Sequence, residues 1–245
     1  MFNTRKYNYV GGGLLPSLGM AARPTLKASM NPRFTAPSYV DYRPLCIESS
    51  NQGPEPSCAG YAQAGCVEVR YWRETGEMRQ FDGDECYRVA KTLDGRPSVE
   101  GTSLVAAAQA AEQLGWIKPS GLRTFFTPEE FRFALHKSGA VPIGLMITDE
   151  WQQVNIKTGY IDRRKHPKQI GGHAVLACYY DKDSVGFQNS WGSGTASGGA
   201  DERRAVADGS GAWGVSGFGR MTWAQFEKQF MYGLFIEKPW MEWRR

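Results

Sequence analysis

The chain has 245 residues, 41% of them hydrophobic and 22% charged, with a formal net charge of +4. That is enough apolar material for one sizeable core or for two small lobes packed together. The charge is too mild and too mixed for a nucleic-acid footprint, because Arg163-Arg164-Lys165, Arg203-Arg204 and Arg244-Arg245 are scattered among acids. No stretch approaches the roughly 20 apolar residues of a membrane-spanning helix. Met1 to Tyr9 leads into Val10-Gly11-Gly12-Gly13-Leu14-Leu15-Pro16, too short and too glycine-rich for the apolar part of a secretory signal. The expected setting is therefore cytoplasmic, or within an assembled particle such as a virion.

In chain order, residues 1–39 come first as an extended arm, with Gly11-Gly12-Gly13, Pro16, Pro24, Pro32 and Pro37 and little apolar periodicity. A largely buried helix is expected from Ser57 or Cys58 to about Arg73, carried by Ala59, Tyr61, Ala62, Ala64, Val67 and Val69. A second fits Ser103 to Leu114, with Ser103 as N-cap and Gly115 as the stop. A third begins at Thr127-Pro128-Glu129-Glu130, a capping box with proline at the first helical position, and ends near Ser138-Gly139. After that the runs are short and β-rich: Val141 to Thr148, Ala174 to Tyr180, Val185 to Gln188 and Gly233 to Glu237. Helices in the first half and strands in the second make an α+β protein with two lobes. Residues 193–211 form a Gly/Ser/Ala/charged loop longer than compact domains normally carry.

The five cysteines, Cys46, Cys58, Cys66, Cys86 and Cys178, are an odd set without Cys-x-x-Cys spacing, and the three histidines are dispersed, so no metal site and no cofactor is indicated. With Cys58 as a free nucleophile, the other four allow up to two bridges, although small buried thiols are the favoured reading. The chemistry concentrates in three places: Gln52 six positions ahead of Cys58, then His173, then Asn189. A cysteine acts as a nucleophile only as thiolate, and a helix N-terminus favours that anion. An imidazole stabilises the thiolate as an ion pair and later protonates the leaving amine. Gln52 and the Cys58 backbone N–H suit an oxyanion, Asn189 suits orientation of the imidazole, and Trp191 suits covering that bond from water.

Gln52 to Cys58, Gly172-His173-Ala174-Val175, Asn189-Ser190-Trp191-Gly192 and Trp213 to Arg220 together resemble the papain-like cysteine peptidases, and Val40-Asp41-Tyr42-Arg43 resembles the start of the mature enzyme. The resemblance implies a two-lobed fold with a helical lobe (about 40–140) bearing the cysteine helix and a β-barrel-like lobe (about 141–237). It implies peptide-bond hydrolysis through Cys58, His173 and Asn189 with Gln52 at the oxyanion hole, and it places Gly101 where substrate backbone pairs. Glu55 stands where the family has a disulfide-forming cysteine, so that bridge is absent. Residues 193–212 are an insertion beside the cleft. His136 and His166 match no box. The arm occupies the place of the family's inhibitory pro-segment, but it is short; a structural arm is the preferred reading, with a mature start near Val40 as the alternative. Together with the aromatic and basic tail at 238–245, the arm also suits docking onto partner subunits, so an assembly protein carrying this module is the competing function.

Overall fold

The computed structural model describes residues 13–15, 25–30, 33–118, 122–152, 154–155, 157–161, 163–192 and 213–236. The insertion at 193–212 and the tail at 238–245 lie outside the described residues, as does much of the arm.

Helix α1 (Cys58–Thr75) is the spine of the molecule. Twelve of its residues are buried, Cys58 to Gly60 and Ala62 to Arg70, because it is sandwiched between two other helices and a sheet. Small residues make this possible: a Cβ on Gly65 would lie 2.9 Å from Leu176 Cδ2. Helix α2 (Gly83–Leu93) starts at Asp82, whose carboxylate accepts from the amides of Asp84 and Glu85. Helix α3 (Leu104–Gln113) starts at Ser103, whose hydroxyl accepts from Ala106 N–H. Helix α4 (Pro128–Ser138) carries the expected capping box, with Thr127 and Glu130 each satisfying the other's backbone. A fifth helix, α5 (Trp223–Gln229), repeats the device with Thr222 and Gln225.

Seven antiparallel strands make one sheet: β1 (Val40–Asp41), β2 (Leu122–Phe125), β3 (Val141–Thr148), β4 (Gln169–Tyr180), β5 (Ser184–Gln188), β6 (Phe218–Thr222) and β7 (Phe230–Ile236). The order is β2-β7-β3-β4-β5-β6, with β1 added to β4. One apolar cluster joins α1, α2 and α3 to Ala174 and Tyr232 of the sheet. A second, rich in aromatics, lies among the strands, α4 and α5. The α+β class expected from the sequence is therefore present, with helices and sheet meeting along α1 and β4, while α4, β1 and β2 from the first half of the chain join the sheet and its core.

Strand β4 begins at Gln169 and not at Ala174, because Gly171 and Gly172 are inside the ladder opposite Ile147 and Met146. Strand β7 likewise begins at Phe230, three residues ahead of Gly233, which pairs with both Phe125 and Ile143. Helix α2 was not among the expected elements, although Gly83, Cys86, Tyr87 and Ala90 form its buried stripe. All five cysteines are free thiols, and four of them are buried.

The described parts of the arm fold back onto their own chain. Leu26 is fully buried in the aromatic core, Thr25 bridges to Thr124, and Lys27 N–H donates to Glu130 at 3.1 Å. Phe34 packs edge-on against Phe133, and the Pro37 carbonyl accepts from Tyr180 OH. Truncating Leu26 to alanine would leave a cavity in this core and is expected to cost about 3 kcal/mol, within the range for buried leucines. Equilibrium urea unfolding measures it, and a loss below about 1 kcal/mol would show that the arm is not docked.

Candidate active site

Cys58 is the first residue of α1 and is 1% exposed. The helix starts at Ser57, whose carbonyl accepts from the amides of Gly60 and Tyr61. The Ser57 hydroxyl does not cap this helix; it donates to Asp84 at 3.2 Å. The first amides of α1 are thus not satisfied by a capping side chain, which leaves an N-terminus of positive partial charge at Cys58.

That charge does not decide the ionisation of Cys58 in this form. Burial pushes its thiol up to about 11, against the amides of Ala174, Ala59 and Cys58 itself, which favour the thiolate. His173, on β4 opposite Leu145, is 3% exposed. Burial lowers its pKa to about 4, and the bond to Asn189 opposes that fall. Near neutral pH both groups are therefore uncharged, a thiol and an imidazole, whereas the sequence pattern anticipated an ion pair. Desolvation outweighs the helix dipole here.

The imidazole is firmly oriented. His173 Nε2 lies 2.8 Å from Asn189 Oδ1, an acceptor, so Nε2 carries the proton and Nδ1 is left as the basic nitrogen. Asn189 follows β5 directly; its Oδ1 also takes the Ser190 N–H at 2.9 Å and its own N–H donates to Gly217. Trp191 lies over the histidine, ring centroids 4.7 Å apart and tilted by 33°. Trp151, which sequence reasoning did not single out, meets the same ring edge-on at 5.8 Å and stacks on Phe187 and Trp213. Trp213 Nε1–H donates to the Trp151 carbonyl, so the histidine sits against a locked aromatic wall.

Gln52 is drawn in from the other side. Its backbone N–H donates to the Ser190 carbonyl, and its Oε1 accepts from Ser190 Oγ at 2.6 Å. Its Nε2 donates to the Glu55 carbonyl at 2.6 Å, which leaves the second N–H of that amide for another acceptor. Both ends of the amide are thereby fixed, between Ser190 and Glu55.

The cleft is occupied by the chain itself. A Cβ on Gly13 would lie 2.9 Å from the Pro56 carbonyl oxygen and 3.1 Å from Cys58 Sγ. Leu14 N–H donates to the Gly172 carbonyl at 3.2 Å, Thr102 N–H donates to the Gly13 carbonyl, and Leu15 N–H donates to the Thr102 carbonyl. The segment thereby runs parallel to Thr102, and Leu14 is 3% exposed. Two glycines make its seat: a Cβ on Gly144 would meet Leu14 Cδ2 at 2.5 Å, and one on Gly172 would meet the Leu14 carbonyl at 2.6 Å. Gly101, expected from the resemblance where substrate backbone pairs, adjoins Gly13 in this structure, and the backbone bonds to the segment are made by Thr102 and Gly172. Lys91 holds that wall in place, its ammonium donating to Asp94 and to the carbonyls of Arg96, Val99 and Gly101 within 2.9 Å.

His136 and His166 lie apart from this constellation: His136 packs against Phe34, and His166 is exposed. No group of metal-ligating side chains occurs among the described residues, and none of their helices is long and apolar enough to cross a membrane.

No family model matches the sequence, and no curated protein does. Solved structures do. Xylellain, a cysteine protease from Xylella fastidiosa, superposes with a TM-score of 0.69 at 15% identity over 97% of this chain and 100% of its own. Procathepsin B S9 from Trypanosoma congolense gives 0.67 at 12% identity, covering 92% of this chain and 86% of its own. Digestive procathepsin L2 from Tenebrio molitor gives 0.63 at 15% identity, covering 96% and 80%. With its helical half, its antiparallel sheet and these neighbours, the chain has the papain-like fold of the C1-type cysteine peptidases.

Proposed function

We propose that the protein is a cysteine-type peptidase, with Cys58 as nucleophile, His173 as acid and base, Asn189 as the residue that orients His173, and Gln52 as an oxyanion donor. The observation that carries this reading is the His173–Asn189 bond beneath Trp191, on the strand whose next amide, Ala174 N–H, faces Cys58 Sγ. Asn189 keeps the proton on Nε2, so Nδ1 is free to take the proton of the thiol once the pair is solvated or meets substrate. The thiolate adds to the scissile carbonyl carbon, and the oxyanion is held by Gln52 Nε2–H and the Cys58 backbone N–H. The imidazolium gives its proton to the leaving amine as the C–N bond breaks, which leaves a thioester. Water, deprotonated by His173, then releases the acid and restores the thiol.

The segment Gly13–Leu15 supports a second element of the proposal: the described form is latent, and this segment must leave the cleft before a peptide enters. Leu26, Phe34 and Pro37 are built into the body of the fold, so what has to move lies ahead of residue 25 and not at Val40. This favours an arm with a cleft-blocking tip over a pro-segment removed as a whole. The competing reading, an assembly protein docking through the arm, draws no support from these contacts, because they are made to the same chain.

Three outcomes are expected. In the chain carrying Gly13→Val, Cys58→Ala abolishes peptide cleavage and removes labelling of the Cys58 peptide by an iodoacetamide-type probe, while the half-buried free thiol Cys46 still labels; cleavage that survives in this variant ends the peptidase reading. Gln52→Ala lowers kcat by about 10²–10³-fold, the loss usual for one oxyanion donor. Gly13→Val, whose side chain has no room beside Pro56 and Cys58, expels the tip. As the thiol pKa falls from about 11 toward the ordinary value of about 8.5, labelling at pH 7 rises by up to about 300-fold. Its pH profile then levels off well below that of the parent chain, whose rate keeps climbing toward pH 11. Identical profiles would show that the tip does not cover the thiol.

A further inference from the structure

The cleft does not end at Leu14. Gly144, under the Leu14 side chain, lies two residues before Met146 and four before Thr148 on the same strand, and alternate residues of a strand share a face. Met146 pairs with Gly172, whose carbonyl accepts from Leu14 N–H. Beyond the seat this face opens into a pocket of about 380 Å³, closed on its far sides by the loop at Arg163–Pro167 and by α5. At about 3.3 Å per residue, the pocket begins roughly 7 Å from the Leu14 seat, within reach of a neighbouring substrate side chain.

The walls carry a marked charge imbalance. Arg163, Arg164, Lys165 and Lys228 face a single carboxylate, Glu150. Glu150 is buried and already used: it accepts from Thr148 Oγ1 at 2.8 Å and from Arg164 N–H at 2.6 Å. The Arg164 guanidinium is paired with Asp149 at 2.8 Å. Arg163, Lys165 and Lys228 form no ion pair among the described residues. The remaining lining, with Gln169, Gln225 and Gln229, is polar and neutral. A concave wall of three unopposed cations beside a seat for an apolar side chain fits an anionic group attached to the same ligand.

We propose that this pocket is an acidic-residue subsite: Arg163, Lys165 and Lys228 receive the carboxylate of a glutamate or aspartate adjacent to the substrate residue seated where Leu14 lies. The proposal rests on the peptidase reading of the cleft. Its expected size is modest, because the cations are exposed and screened by salt.

The test uses the full chain carrying Gly13→Val and two fluorogenic peptides, each with leucine for the seat and either glutamate or glutamine at the neighbouring positions. The glutamate peptide is expected to show about 3- to 10-fold higher kcat/KM at low ionic strength, with the ratio shrinking toward one near 0.5 M salt. Replacing Arg163, Lys165 and Lys228 together with glutamine should erase the ratio, with the glutamine peptide in the same variant as the reference. A ratio at or below one, or a preference that persists in the triple variant, overturns the subsite and leaves the peptidase reading standing. If neither peptide is cleaved, the peptidase reading has failed, and fluorescence anisotropy of the same peptides on the Cys58→Ala, Gly13→Val chain decides the pocket separately. Tighter glutamate binding that disappears in the Arg163→Gln, Lys165→Gln, Lys228→Gln background supports it; equal binding of the two peptides overturns it.

Discussion

Everything at the site depends on how closely α1 lies against β4. Gly65 leaves no room for a methyl group against Leu176. The approach brings the first turn of α1 to Ala174, so a residue at the start of a helix and a residue in the middle of a strand become neighbours. The helix is held along nearly its whole length by packing, so Cys58 inherits its position from a long buried rod and not from a loop. The histidine is fixed independently, by the ladder with β3 and by the Asn189 bond. Two rigid frames meet at one point. That geometry suits chemistry in which small displacements are costly.

The same closeness has an electrostatic consequence. A thiol and an imidazole shut away from water under a strip of backbone are better neutral than charged, whatever dipole points at them. On the proposed reading the covering tip acts twice, by filling the space a peptide would need and by helping to keep water from the sulfur. Its polar backbone loses little by being there, because Thr102 and Gly172 supply partners for its amides and carbonyls. Leu14 adds apolar burial between Gly144 and Gly172.

Much of the fold was legible in the sequence, where local chemistry and tertiary context agree. Thr127, Pro128 and Glu130 announce α4 and define it as found, and Ser103 does the same for α3. The elements that escaped were those whose signals are overridden or diluted. Gly171-Gly172 reads as punctuation yet lies within β4, since its ladder partners on β3 impose extended backbone. Helix α2 has a buried stripe only one residue wide at most turns, and the charges between hide it, although the cap at Asp82 was a usable clue. At the site, Gln52, Cys58, His173, Asn189 and Trp191 stand out by residue type and order; the fold sets Asn189 and Trp191 against His173, Gln52 against Ser190, and Cys58 against the Ala174 amide. Thr102 and the Gly172 carbonyl do not stand out, because they contribute backbone, and backbone bears no mark in a sequence. Nor does periodicity reveal that Gly13 and Leu14 return to the cleft: a glycine run looks like a tether until its partners are known.

The absence of cross-links has its own consequence. All five cysteines are free thiols, so no disulfide ties one part of the fold to another, and cohesion rests on the aromatic core, the sheet and the buried length of α1. A nucleophilic sulfur works only while it is kept reduced. In a scaffold stapled by disulfides, the reductant that protects such a sulfur also threatens the frame around it. On the proposed reading the two demands are uncoupled here: conditions that keep Cys58 reduced break no disulfide of the fold.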